Sequence, residues 1–409
     1  MPDTHRDAGR GTTERDRSQP DGGPGAGGRP TVRRCAMSGD GQVGTPRGAR
    51  LRERRLGWLL DPRLVSTALG SVVVVTVAGL VQVSFGAYSM TLAEAWAAVL
   101  DPEVLFSRQA WRAFLLGGEL PEMSRESLIV WNIRLPRVIV AAVVGMNLAV
   151  SGAIFQAVTR NELASPFILG VSSGAGLTIL LTLVVFGGLA AFLPLVAALG
   201  GAAAFLLVYA VAWKNGTSPV RLVLAGVIVG TVFNSLQTAL FFFADEIGIV
   251  QSAIAWTTGS LTGTDWEQVR IVLPWSVVAI VLAVVAARQC NVLLLGEQTA
   301  RSLGMSIERV RFGLSAVAVL AAAASIAVAG IVGFVGLIVP HVVRNLVGSD
   351  YKKVIVGCLF VGPALLVGAD VGARLAFSPV QIPVGIVTGL VGGPYFLYLM
   401  RKKQKVGEI

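Results

Sequence analysis

The sequence predicts an all-α polytopic membrane protein of about ten transmembrane helices. Three observations carry this. Of 409 residues, 54% are hydrophobic and only 14% charged, with a mean hydropathy of +0.70. Apolar runs recur at about the ~20 residues a helix needs to cross the hydrocarbon core of a bilayer. Lys and Arg cluster in the short segments between those runs, so the formal net charge of +10 reads as membrane topology and not as a nucleic-acid groove.

From the N-terminus, residues 1–55 are rich in Gly, Pro, Asp and Arg and carry almost nothing apolar. Such a stretch cannot bury enough surface to offset its ordering entropy, and a disordered basic cytoplasmic tail is expected. Residues 56–409 form the membrane domain. Its first span, about Leu64 to Phe85, follows "RGARLRERR" and is too long and too deep in the chain for a cleaved signal. A long external loop, about Gly86 to Leu135, comes next. The further spans are about Arg137 to Val158, Pro166 to Gly187, Leu189 to Trp213, Val220 to Phe243, Val269 to Ala287, Phe312 to Ala329, Ile331 to Leu346, Val354 to Asp370 and Val384 to Met400. Phe312 to Val347 has basic residues at both ends, so it crosses twice and turns near Gly330 to Gly333. Pro166 to Trp213 divides near Gly187 and Gly188 by the same reasoning. Between the fifth and sixth spans, "IVQSAIAWTTGSLTG" is too broken to cross and suits an interfacial helix, with Asp245, Glu246, Asp265 and Glu267 around it. Both termini fall in the cytoplasm.

Glycines four apart stack on one helix face and let backbones approach: Gly170 with Gly174, Gly226 with Gly230, Gly368 with Gly372, Gly385 with Gly389. "GVSSGAG" at Gly170 to Gly176 lacks the preceding strand and the following Lys of a phosphate loop, and reads as a helix start. Asn147, Ser151, Gln156, Asn234, Gln237 and Thr238 are polar within spans; they either bond between helices or line a pathway. Asp370 is the sole carboxylate inside the ten segments. A proton-driven carrier needs embedded acids or histidines, and no nucleophile with its base is visible, so no catalytic residue is assigned. Cys35, Cys290 and Cys358 lie far apart with no CxxC, and no metal site is expected. The chain reads as one that moves something without an energy source of its own. In Asn291 to Phe312, leucines interleave with charges in short helices broken at Gly296 and Gly304, as a docking surface requires.

Four blocks, "IRLPRVIVAAVVGMNLAVSGAIFQAVTRNELASPFILGVSSGAG", "LLLGEQTARSLGM", "VAGIVGFVGLIVPHVVRNLVGSDYKKVIVGCLFVGPALLVGADVGARL" and "QIPVGIVTGLVGGPYFLYLMRKK", closely resemble the FecCD permease family. These are the BtuC-like membrane subunits of bacterial ABC importers for ferric siderophores, haem and cobalamin. The resemblance runs from about Leu64 to Lys403 and implies a type II importer permease in the bacterial cytoplasmic membrane. It further implies a second permease, identical or paralogous, two ATPase subunits that bind ATP and Mg, and an extracytoplasmic substrate-binding protein; no cofactor belongs to this chain. It assigns ATPase coupling to Leu295, Gly296, Glu297, Ala300, Arg301, Leu303 and Gly304, pathway lining to Asn234, Gln237 and Thr238, and binding-protein docking to Arg134, Arg137 and Arg374. A ferric siderophore is the expected cargo, with cobalamin or haem next. An ion-driven secondary transporter and a non-transporting scaffold are the alternatives.

Overall fold

The computed structural model describes residues 57–84, 90–214, 216–244, 246–376 and 381–406, and the regular structure among them is helical throughout. The tail expected to be disordered, Phe85 and Asp245 lie outside these residues. Ten helices match the ten expected spans: α1 Pro62–Ser84, α6 Leu135–Thr159, α7 Val171–Leu180, α8 Leu193–Ala212, α9 Pro219–Phe241, α11 Trp266–Leu294, α13 Ile307–Ala329, α14 Val335–Val347, α15 Tyr351–Leu375 and α16 Val384–Val406. Seven helices are long and apolar enough to cross a membrane unaided. The other three apolar segments, Val171–Val185, Val335–Val347 and Val384–Tyr398, are shorter.

The two expected divisions are both present. After α7 a π-helical turn, Leu181–Val185, and a 3-10 turn, Gly187–Phe192, lead into α8. Between α13 and α14 the chain runs without helix, with Gly330 at φ +67° and Phe334 at φ +66°. At 1.5 Å per residue the 13 residues of α14 cover only about 20 Å, so this irregular stretch makes up the rest of the crossing. Non-helical backbone at such depth needs partners within the protein. It finds them in α10, Ile247–Thr258: the Ile331 N–H donates to the Trp256 carbonyl at 2.9 Å, and Ser260 N–H donates to the Ala329 carbonyl at 2.9 Å. The helix expected at the interface therefore braces a broken pair of spans.

Where a featureless external loop was expected, the structure has four helices: α2 Leu92–Val99, α3 Pro102–Leu105, α4 Arg108–Leu116 and α5 Arg125–Ile129. Each is short, so each depends on its cap and on packing. Thr91 and Glu94 form a capping box at α2, and Ser107 accepts from the Ala110 N–H at α4. An aromatic cluster holds this layer to the spans. Phe114 stacks on Trp266 at 4.6 Å, the Trp266 indole donates to the Trp131 carbonyl at 2.7 Å, and the Arg270 guanidinium donates to the Phe114 carbonyl at 2.9 Å.

The centre of the bundle is α6, which packs against α15, α13, α11 and α14. Two close crossings bring it there. A Cβ on Gly145 would collide with the Gly362 carbonyl of α15, and one on Gly152 with the Gly336 backbone of α14. These pairs were not among the glycines expected to mediate packing. Of those, Gly174 lies against α8 and Gly226 against the Ile168 carbonyl, and Gly385 against Thr258. Gly368, Gly372 and Gly389 have open space beside them in this chain, so the fourfold spacing alone does not decide which glycine faces are packed.

Polar side chains expected inside the spans mostly bond between helices. Asn147 donates to Ser276 Oγ at 2.7 Å, Ser151 to the Ala318 carbonyl at 2.7 Å, and Gln156 accepts from Arg344 at 2.6 Å.

Candidate translocation and coupling sites

Three groups of residues stand out against this frame. The first lies on α9. The Ser218 side chain caps its start, accepting from the Arg221 N–H at 3.2 Å, and Pro219 opens the first turn with a preset φ. One face of α9 packs on α7 and α8, burying Leu222, Ala225, Gly226 and Val229. The free face carries Thr231, Asn234, Ser235 and Thr238, all exposed and spaced three or four residues apart. Each hydroxyl donates to the carbonyl one turn back, Thr231 at 2.9 Å and Ser235 and Thr238 at 3.0 Å. Gln237 sits at the edge of this stripe, where its amide donates to the Ser173 carbonyl and to Asn234 Oδ1, both at 3.1 Å. The three expected pathway residues thus come together, joined by Thr231 and Ser235. Three-and-four spacing could have found both, since Thr231 lies three residues before Asn234 and Ser235 lies three before Thr238.

The second group is at the end of the bundle where Arg160, Lys214, Arg288 and Lys352 gather. Here α11 ends, Gly296 turns the chain at φ +105°, and α12, Glu297–Ser302, follows before Gly304 turns it again at φ +79°. Ala300 is buried beneath α12, while Leu295 is 60% and Leu303 63% exposed beside the exposed Arg301. Apolar side chains pointing outward at a polar end of the bundle call for a partner surface. Glu297 turns inward, to Arg311 at 2.8 Å. Arg311 and Thr217 were not singled out from the sequence, where Arg311 read only as topology and Glu308 only as one of the charges interleaved in the docking segment. The i, i+3 spacing of Glu308 and Arg311 ahead of an apolar run was the available signal. Also at this end, Lys353 of α15 bonds Asp61 just ahead of α1. That bond, and then the Arg63 N–H, hold the Asp61 carboxyl below its ordinary range.

The third group is at the opposite end. The residues expected to meet a docking protein are placed inward: Arg134 and Arg137 are 4% and 7% exposed. Arg137 forks onto Asp370 of α15, both contacts 2.8 Å, and donates to Gln381 at 3.0 Å. Arg134 donates to the Val83 carbonyl at the end of α1. Arg374, half-buried, donates to the Gln82 carbonyl at 3.2 Å, and the Gln82 amide reaches Asp370. The expectation of free external charge at Arg134 and Arg137 is corrected on this point.

A bundle of ten apolar helices with a polar stripe on one exposed face has the architecture of a membrane permease. Comparison with known proteins is specific: the profile of the FecCD transport family matches residues 73–402, and the chain belongs to that family. It is 42% identical over 68% of its length to the Fe(3+)-citrate import system permease protein YfmD of Bacillus subtilis (strain 168), 83% of which is covered. It is 40% identical over 70% of its length to the cobalamin import system permease protein BtuC of Halobacterium salinarum, covering 76% of that protein. A solved structure of a metal-chelate type ABC transporter in an inward-facing conformation matches with a TM-score of 0.69 at 26% identity, over 82% of this chain and 98% of that one. The chain is therefore a transporter permease and not an enzyme.

Proposed function

We propose that the chain carries an iron(III) chelate inward across the cytoplasmic membrane as one of two permeases around a central path, driven by ATPase subunits that dock on α12. The observation that carries this is the polar stripe of α9. Thr231, Asn234, Ser235 and Thr238 lie on a span with little packed against that face, and an exposed amide in hydrocarbon is costly. A water-filled path beside a second permease, identical or paralogous, removes the cost. The hydroxyls, already bonded to their own helix, make weak contacts, which suits passage of a bulky chelate without trapping it.

The excess of Lys and Arg at the basic end supports a cytoplasmic side there, with both termini inside. ATP and Mg then belong to the ATPases on that side. A binding protein meets the opposite end, where Arg374 is part-exposed and Arg134 and Arg137 set the rim around Asp370. One exposed ion pair contributes only about 0–1 kcal/mol, so such charges favour encounter rate and register over affinity. Iron(III) chelate is chosen over cobalamin on the slightly nearer relative, and the two identities are close enough that selection rests with the binding protein.

The test is uptake into proteoliposomes holding the permease with its co-purified ATPase and binding protein, comparing 55Fe-citrate, a 55Fe-hydroxamate siderophore, haem and labelled cobalamin. ATP-dependent accumulation of an iron chelate is expected. Accumulation of cobalamin or haem alone overturns the cargo, and uptake driven by a proton gradient without ATP overturns the mechanism.

A further inference from the structure

We infer that Arg311 is the pin that carries displacement of the ATPase-facing helix α12 into the pathway helix α9. This rests on the reading of α12 as the coupling element and of α9 as pathway lining.

The geometry is a chain of bonds across the inner end of the bundle. Arg311, in the second turn of α13, is 1% exposed, among the largest side chains buried to that degree. Its Nη2 donates to Glu297 Oε1 at 2.8 Å, and Glu297 is the first residue of α12. Its Nη1 donates to the Thr217 carbonyl and to Thr217 Oγ1 at 3.1 Å. Glu308, one turn earlier on α13, closes the loop: its Oε2 accepts from the Thr217 N–H at 3.1 Å and from Oγ1 at 2.7 Å. Thr217 stands two residues ahead of α9. The link onward is stiff, because Arg221 in the first turn of α9 donates back to the Lys214 carbonyl at 3.1 Å and the Gly216 carbonyl at 2.9 Å.

The chain itself would not transmit the motion. Gly296 and Gly304 flank α12 with φ of +105° and +79°, in the region where glycine alone moves freely. A push on α12 would dissipate in these two joints. Among the described residues, Glu297 is the α12 side chain that hydrogen-bonds another helix, and it does so only through Arg311. Lysine cannot replace this residue. A planar fork with five donors reaches Glu297 and Thr217 together, whereas an ammonium is one point charge on a flexible stem.

The experiment measures ATP hydrolysis and 55Fe-citrate uptake in the same proteoliposomes of the full complex, for wild type, Arg311→Lys and Thr217→Val, with complex assembly followed by size-exclusion chromatography. The expected result is a split: hydrolysis and assembly near wild type, but uptake per ATP about tenfold lower in Arg311→Lys and a few-fold lower in Thr217→Val, the scale of losing charge-assisted and neutral hydrogen bonds. Adding Glu297→Gln to Arg311→Lys should lower uptake per ATP no further, since both cut the same link. Two results overturn the inference: hydrolysis and uptake falling together in step with lost complex, which marks a purely structural arginine, or an unchanged ratio in both variants. Should the wild-type complex hydrolyse ATP yet accumulate none of the four cargoes, the import reading itself fails and the inference falls with it.

Discussion

Two buried arginines anchor opposite ends of the bundle, and they are built differently. Arg137 forks onto Asp370, whose side chain is fully buried, and the contact joins α6 to α15, with Gln82 bringing in α1. Three long spans are locked together through one carboxylate. Arg311 instead shares two carboxylates, Glu297 and Glu308, whose side chains are each 33% exposed, and its partners sit on a six-residue helix, in a loop and one turn back on its own helix. Burial strengthens the first pair and makes its loss expensive. Solvent reaches the second, so its bonds can lengthen or exchange at modest cost. The hub around Asp370 is a clamp and the one around Arg311 a joint.

The sharpest way to break this comparison is to remove one side of each pair. Asp370→Ala leaves the Arg137 guanidinium buried without its carboxylate and should cost about 3–5 kcal/mol, seen as a large drop in thermal unfolding temperature in detergent or lipid. The joint replacement Arg137→Met with Asp370→Leu should recover most of that loss, because an apolar pair of similar volume removes the stranded charge. Glu297→Gln, at the Arg311 hub, should change unfolding by no more than about 1 kcal/mol. Equal losses at the two ends would erase the distinction between clamp and joint.

The ten spans were legible because bilayer thickness and charge placement constrain them directly. Even the break at Gly330 followed from basic residues at both ends of one apolar run. The external helices were not legible, since α2 to α5 are only four to nine residues long and owe their existence to caps and to the Trp131, Phe114 and Trp266 stack. The sequence placed Asn234 and Thr238 on one helix face, and both are exposed on α9, with Gln237 turned to its edge. It set Arg134, Arg137 and Arg311 at the ends of apolar runs but did not give their depth. The partner of Arg137 lies 233 residues away, and no local spacing encodes such a pair.

A middle-sized effect tests whether the clamp continues down α6. Gly152→Ala puts a methyl on the Gly336 backbone, where neither helix can yield cheaply, and should cost about 1–3 kcal/mol of stability. Gly368→Ala and Gly372→Ala meet nothing within 4 Å in this chain and should be neutral, or better by up to about 1 kcal/mol. If either of these destabilises the assembled transporter but not the isolated permease, another chain covers that face of α15.

The smallest effect lies at the Arg311 end of the bundle, at Lys353 and Asp61. Lys353 and the Arg63 N–H hold the Asp61 carboxyl below its ordinary value of 3.8, so the folded state favours the ionised form. A depressed folded pKa means the unfolded state takes up the proton first. The pair's contribution is therefore present above the ordinary value and is lost as the pH falls through the folded one. Wild type should unfold slightly above Asp61→Asn at neutral pH, and the gap should close as the pH is lowered into that range. No gap at either pH would show that the oxygen of either side chain, capping the start of α1 through the Arg63 N–H, supplies the stability and the lysine does not. A closing gap would place this pair with Arg311, among contacts that solvent reaches, while Arg137 and Asp370 are held out of it.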